Sequence, residues 1–304
     1  MEETLYYRQA RLVLKILPLI ERYAVFALKG GTAINFFIRD LPRLSVDTDL
    51  TYTPFDERAS ALAAIHNALE GLKADIERLI PNSAVMTKRV QGGIVTLMVK
   101  ADSVMVKVEP NLILRGTIFQ PVTLPLKKKV EDLFGMSVRV KTLAFAEIYG
   151  GKICAALDRQ HPRDLFDIKL LLDNEGLTDQ VRKSFIIHLV SHDRPMAELL
   201  DPNFVDLKKA FTADFEGMTL IKIAPEELEE ARTELIRTVR RTMTDKERRF
   251  ILSVKEGDPE WGLVELEGVD RLPAVQWKLL NIRKMDKARH RQALRRLEAC
   301  LRAD

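Results

Sequence analysis

Asp47 and Asp49, one residue apart, and the upstream turn Gly30-Gly31-Thr32 are the residues here whose types and spacing can do chemistry. On an extended strand Asp47, Asp49 and Thr51 share one face, opposite Leu50 and Tyr52, with the two carboxylate-bearing residues about 7 Å apart. Carboxylates at that spacing suit shared coordination of hard divalent cations, magnesium with manganese as the alternative, substrate phosphate completing the shell. Such cations stabilise the attacking and leaving oxygens of an in-line displacement at an α-phosphorus. The glycines let backbone N–H groups approach a polyphosphate, and a helix opening at Thr32 turns its positive end towards it. Alone, Gly-Gly-Thr is an ordinary turn and Asp-x-Asp an ordinary solvated strand face. In the order strand, Gly-Gly-Thr, helix, Ser-x-Asp-x-Asp strand, they read as a metal-dependent nucleotidyltransferase site.

A third carboxylate is expected on a neighbouring strand. Glu109 is the candidate: in Val104-Met-Val-Lys-Val-Glu109 the alternation sets the three valines on one face and Met105, Lys107 and Glu109 on the other. Asp102 and Glu131 are weaker, lying in a turn and a connector. Ser45 either bonds a nearby carboxylate or caps the turn.

The elements that must position these residues follow from periodicity. Residues 5–23 have helical spacing. A short apolar strand over 23–28 stops at the double glycine, a helix covers about 32–38, and a strand covers 46–53. A long amphipathic helix over about 55–79 precedes three strands at 84–90, 93–100 and 103–114, joined by hairpin turns at Gly92-Gly93 and Ala101-Asp102-Ser103. After Lys127-Lys-Lys129 there is a short strand near 136–141. From 142 onward the pattern is helical: 142–158, 162–173, 178–191, 204–214, 225–242, 245–255 and 274–302. The expected fold class is α+β, with one domain over about 1–135 and a helical domain over 136–304.

With 304 residues, 46% of them apolar, the chain can bury a sizeable core. The 48 basic and 44 acidic side chains leave a net charge of only +4, so a nucleic-acid role must rest on where charge clusters. Cys154 and Cys300 are too few for a disulfide framework or a zinc site, which fits a reducing compartment. Glu2, Glu3, Arg8, Arg11 and Lys15 interrupt any signal-peptide core, and no apolar run approaches the roughly eighteen residues of a membrane span. The expectation is a cytoplasmic monomer that does not enter a membrane.

Phe26-Ala-Leu-Lys-Gly-Gly-Thr-Ala-Ile-Asn35 followed by Ser45-Val-Asp-Thr-Asp-Leu50 resembles the opening motif of the AbiEii toxin family. The resemblance continues at Glu147-Ile-Tyr-Gly-Gly-Lys152, at Pro162-Arg-Asp-Leu-Phe-Asp-Ile168 and at Leu272-Pro-Ala-Val-Gln-Trp-Lys-Leu-Leu-Asn281, spanning nearly the whole chain. It implies a DNA-polymerase-β-like nucleotidyltransferase core, a mixed sheet flanked by helices, whose helical domain completes the nucleotide site and contacts the acceptor. It implies further a growth-inhibiting toxin of a type IV, abortive-infection pair, neutralised by a separately encoded antitoxin. The donor would be an NTP and the acceptor an RNA, with tRNA 3′ ends suggested. Gly30, Gly31, Thr32 and Ser45 would then contact nucleotide and Lys152 its phosphates. Asp167 or Asp164 would complete the site or support Lys152. The spacing of fifteen residues from Thr32 to Asp47 matches the AbiEii-like pattern better than that of antibiotic-modifying adenylyltransferases, whereas Glu109 stands where Asp is more usual.

Independently of the resemblance, Asp164 and Asp167 at i and i+3 occupy one helix face. The plainer reading sets Asp164 at a helix N-terminus, within a surface network of Asp158, Arg159, Arg163 and Asp167. Residues 283–302 hold eight lysines and arginines against two acidic residues. With Lys127–Lys129, Arg139 and Lys141 they form either a path for an RNA backbone or simply a solvated face. Trp261 and Trp277 are read as packing residues, His161 as a turn histidine, and His188 with His192 as a helical pair lacking a third ligand. Nucleotidylation of a protein or small molecule, and a noncatalytic nucleotide-binding partner protein, are the competing functions.

Overall fold

The structure, a computed structural model, describes residues 4–302 and divides into two compact units, Met1–Ala144 with Gly217–Lys222, and Phe145–Glu216 with Ile223–Asp304.

The first unit opens with α1 (Leu5–Ile20), capped by the Thr4 side chain accepting from the Tyr7 amide. Its apolar face, including Val13, Leu14, Ile16 and Leu17, is buried. Strand β1 (Phe26–Lys29) runs into α2 (Gly30–Ala33), which widens into a π turn over Ile34–Ile38. Then come β2 (Asp47–Tyr52), α3 (Arg58–Leu79), β3 (Ala84–Val90), β4 (Gly93–Ala101), β5 (Val104–Asn111), β6 (Val122–Pro125), α4 (Lys128–Phe134) and β7 (Arg139–Thr142). The seven strands form one mixed sheet in the order β3-β4-β5-β2-β1-β7-β6. The β3-β4-β5 meander is antiparallel, β5 joins β2 in parallel, β2 joins β1 antiparallel, and β1 joins β7 in parallel. The hairpins turn through Gln91-Gly92 and Asp102-Ser103, all four residues at positive φ, as two-residue turns between twisted strands demand. Segment 217–222 returns to this unit: the Leu44 amide donates to Met218 O (2.7 Å) and the Leu220 amide to Pro42 O (3.0 Å).

The second unit is helical: α5 (Phe145–Arg159), α6 (Pro162–Asn174), α7 (Asp179–Ser191), α8 (Met196–Leu200), α9 (Lys208–Asp214), α10 (Pro225–Thr242), α11 (Asp245–Glu256), α12 (Pro273–Arg283) and α13 (Lys287–Arg302). Helices α5 and α7 pack so closely that a Cβ on Gly150 would lie 2.4 Å from Ser184 Oγ and 2.7 Å from the Phe185 amide nitrogen. The single helix expected over 274–302 is two, because the Asp286 carboxylate accepts from the amides of Ala288 and Arg289 and starts a new helix. Helix α13 buries Leu297 and Leu301 and leaves Arg289, Arg291, Arg295 and Arg296 exposed. Trp261 packs against Phe250, ring centroids 5.8 Å apart, but Trp277 on α12 is 57% exposed and is not a packing residue.

Candidate active site

In the first unit the glycine turn and the acidic strand are brought into contact by antiparallel pairing of β1 with β2, which sets Lys29 opposite Asp49. Gly30 follows at φ +70°, and an added Cβ would stand 2.7 Å from Asp49 Oδ2. A side chain is thus excluded twice, by backbone conformation and by the carboxylate. Gly31 has its own neighbour, the Arg43 guanidinium, whose Nη2 lies 2.6 Å from where a Cβ would be. Arg43 is buried, and its Nη1 donates to Leu44 O at 2.9 Å. The sequence reading missed it; its only signal was an arginine inside the otherwise apolar Leu41–Leu44. Thr32 Oγ1 shares a 2.9 Å hydrogen bond with Ser45 Oγ and also donates to the Asp47 carbonyl, tying the turn to the start of β2.

Asp47 and Asp49 are half-buried while Thr48 between them is fully buried, so both carboxylates lie on the same sheet face. Parallel pairing with β5 sets Glu109 opposite Asp49 and Lys107 opposite Asp47. The Glu109 carboxylate accepts from Lys107 Nζ at 2.8 Å and from Thr96 Oγ1 at 3.1 Å. Burial raises the Glu109 pKa, but Lys107, Thr96 and Lys88 outweigh that and hold it below the ordinary glutamate value. For Lys107, burial favours the neutral amine; the bond to Glu109 and the charges of Asp49 and Asp47 more than offset it, and its pKa ends raised. Lys107 is the second residue missed by sequence reading, which placed it on the right face without giving it a role. Beside these groups lies a cleft of about 300 Å³ whose wall includes Lys29, Asp49, Lys88, Val90, Glu109 and Ile113.

The donor set fits magnesium. That ion needs only one or two protein carboxylates and takes phosphate oxygens and water for the rest, and a side chain at Gly30 would press on Asp49 Oδ2. Among the described residues no three His, Cys, Asp or Glu side chains form a ready-made metal cluster.

The second unit holds another cluster. Lys152 Nζ on α5 donates to Asp164 Oδ1 at 2.8 Å and lies 3.1 Å from Asp167 Oδ2, both aspartates on the same face of α6. Arg159 Nε adds a 2.5 Å contact to Asp164 Oδ2. The side chains of Lys152, Asp164 and Asp167 are 6%, 1% and 0% exposed, which rules out the surface network considered from sequence. Asp158 instead pairs with Arg194. Burial alone would raise the Asp164 pKa; Lys152 and Arg159 overcome it and hold the carboxyl far below the usual range. The N-cap of α6 is His161, whose Nδ1 accepts from the Arg163 amide, so Asp164 in the first turn is left to face Lys152. Burial lowers the His161 pKa. His192 ends α7 and pairs with Asp158 and Asp193.

A glycine turn packed on an aspartate strand, inside a mixed sheet flanked by helices, is an arrangement suited to nucleotidyl transfer, and sequence comparison gives the class. Residues 13–281 match the model of the family described as nucleotidyl transferase AbiEii toxin, type IV toxin–antitoxin system, and the chain belongs to that family. Among solved structures it is similar to MenT4, a nucleotidyltransferase toxin from Mycobacterium tuberculosis, with a TM-score of 0.60 and 15% identity over 98% of this chain and 94% of that one. At that identity the likeness is one of fold. Comparison with curated proteins gave no match. Among the described residues no helix is long and apolar enough to cross a membrane.

Proposed function

We propose that this toxin-family nucleotidyltransferase moves a nucleoside monophosphate from an NTP to an RNA 3′ end, that of tRNA foremost, and thereby stops translation. The observation that supports nucleotidyl transfer is the contact of Gly30 with Asp49, with Glu109 in register on the next strand, and the RNA acceptor is what the family resemblance suggests.

In this reading the amides of the Gly30–Thr32 turn hold the triphosphate, and Ser45 and Thr32 fix the turn against β2. Asp47 and Asp49 would hold magnesium. When bound, the metal screens the charge that builds up on the phosphate oxygens. Glu109, once free of Lys107, is either the third ligand or the base that takes the proton of the attacking hydroxyl. The hydroxyl oxygen bonds to the α-phosphorus, and the bond from that phosphorus to the bridging oxygen of pyrophosphate breaks. Within the second unit Asp164 and Asp167 would orient Lys152, the residue that the family resemblance assigns to nucleotide phosphate. A cognate antitoxin follows from the family and restrains the activity in the cell.

The test is incubation of purified protein with labelled NTPs, magnesium and total tRNA. Label on RNA that disappears in a folded Asp47→Ala/Asp49→Ala variant is the expected result. Label that survives RNase but is lost on proteolysis would make a protein the acceptor. Full toxicity of the folded double variant would mean that the protein acts by binding alone.

A further inference from the structure

Residues 283–302, with eight lysines and arginines against two acidic side chains, carry +6 in a chain whose total is +4, which leaves −2 for everything else. Elsewhere in the second unit arginines are paired, Arg182 with Glu247, Arg194 with Asp158 and Arg249 with Glu260. Lys284, Lys287, Arg289, Arg291, Arg295 and Arg302 are exposed instead, and among the described residues only Arg296 of this stretch approaches a carboxylate, Glu198 at 3.5 Å. Arg291, Arg295 and Arg302 fall within about 40° of one another around α13 and span about 16 Å of its length, outside the face that buries Leu297 and Leu301. Like charges one turn apart repel, so this arrangement works against the helix that carries it.

Helix α12 adds an aromatic surface. Lys278 Nζ is fixed on the carbonyls that end α7, 2.5 Å from His192 O and 2.7 Å from Arg194 O. That anchor sets the rotation of α12, and Trp277, about 100° round the helix, is turned out to solvent with Leu280 one turn on, 57% and 41% exposed. Three residues, 284–286, join α12 to α13, and both helices pack on α11. Beneath that turn Lys255 of α11 is 8% exposed, and among the described residues its ammonium meets no oxygen, only the Met285 thioether at 3.9 Å. Burial lowers its pKa and no carboxylate opposes the shift. A buried cation in this position lacks the counter-charge that such groups need.

We propose that the outer faces of α12 and α13 form a docking surface for an RNA backbone, with Trp277 as the platform for an unpaired base; this rests on the RNA-acceptor reading above and uses no residue of the transfer site. The arginine row of α13 tracks successive phosphates, and the exposed indole offers stacking to any base. A phosphate passing the 284–286 turn, with Met285 swung aside, supplies the counter-charge that Lys255 lacks. A polynucleotide fits this face better than a lipid surface does, because α13 turns Leu297 and Leu301 inward and keeps no apolar stripe to enter a bilayer.

The experiment measures binding of a fluorescein-labelled hairpin RNA with an unpaired 3′ tail to the full chain across a range of salt, in EDTA and without NTP. Two variants change only exposed side chains: Arg291→Gln/Arg295→Gln/Arg302→Gln, and Trp277→Ala. In the triple variant Kd should rise about tenfold or more and the salt slope should fall by about 2, three single-strand phosphate contacts at about 0.7 each. In Trp277→Ala Kd should rise about fivefold or more with the slope unchanged, the signature of one lost stacking contact. Both should keep the wild-type affinity for a fluorescent NTP analogue and the wild-type melting temperature. A third variant, Lys255→Met, should lower the slope by about 0.7 and melt no lower than wild type, whereas a lysine with a purely structural role would lose thermal stability. An RNA Kd within about twofold of wild type in both the triple variant and Trp277→Ala overturns the proposal. So does loss of binding to phosphatidylglycerol vesicles with RNA affinity intact, which would make the partner a membrane. RNA binding that the variants lose, in a protein that labels no RNA, would keep this surface and sink the transfer reading. Label transfer with unchanged RNA affinity in the variants would do the reverse.

Discussion

Replacing Lys152 by Met tests the second unit's charge cluster most sharply. The ammonium is held 2.8 Å from Asp164 and 3.1 Å from Asp167, and neither carboxylate is more than 1% exposed. Methionine keeps most of the side chain's volume and removes only the charge, so packing loss is small and the electrostatic change dominates. Two buried carboxylates then lose their shared cation. Removing one partner of a buried ion pair costs about 3–5 kcal/mol, because the remaining charge stays desolvated. Arg159 still contacts Asp164, which places the expected loss towards the lower end. In a unit of this size each kcal/mol moves Tm by about 2–4 °C, so thermal unfolding at neutral pH should fall by about 6–15 °C. Adding Asp167→Asn to Lys152→Met deletes one of the stranded charges and should recover part of that loss, a coupling that a double-mutant cycle reads directly. The single variant melting within about 1 °C of wild type, or the double variant melting lower than the single, would refute the account.

Gly30→Ala forces an L residue to φ +70° and drives a Cβ against Asp49 Oδ2. The backbone term costs about 1–2 kcal/mol of stability, and the displaced carboxylate should lower nucleotide transfer at least about tenfold; wild-type transfer rates would contradict it. Gly150→Ala should destabilise by about 1–3 kcal/mol in denaturant titration despite alanine's better helix propensity, since its Cβ meets Ser184 and the Phe185 backbone. A stabilised variant would count against the α5–α7 contact. Asp164 is held below the ordinary carboxylate pKa of about 4, so its stabilising contribution is complete above that pH and is lost as pH falls further. Asp164→Asn should accordingly flatten the acid limb of the Tm–pH curve, and an unchanged limb would assign acid sensitivity to other groups.

Local pattern carried much of this architecture. A period of two put Asp47 and Asp49 on one face and Lys107 and Glu109 on another, and 3.6-residue spacing put Asp164 and Asp167 together on α6. Helix α10 over Pro225–Thr242 follows directly from its amphipathic spacing. Strand β6 and helix α4 escaped because each is short, four and seven residues, too brief for a period to show. Trp277 misled because an aromatic within an apolar stretch resembles core, whereas helix rotation turned it outward.

The sequence by itself determined the chemistry available: two carboxylates on one strand face, a side-chain-free turn, and a lysine with two aspartates at helical spacing. Those are properties of residues close in the chain, where backbone geometry alone sets which side chains share a face. Only the tertiary structure decided that β5 lies beside β2 in the register that brings Glu109 opposite Asp49, and that Arg43 lies behind Gly31. It likewise decided that Lys152 is sealed between two carboxylates, and that Gly150 is where α5 and α7 meet. Strand order and helix contacts join residues distant in the chain. They are settled by which arrangement buries the apolar faces and pairs the buried charges, and no local period encodes that choice.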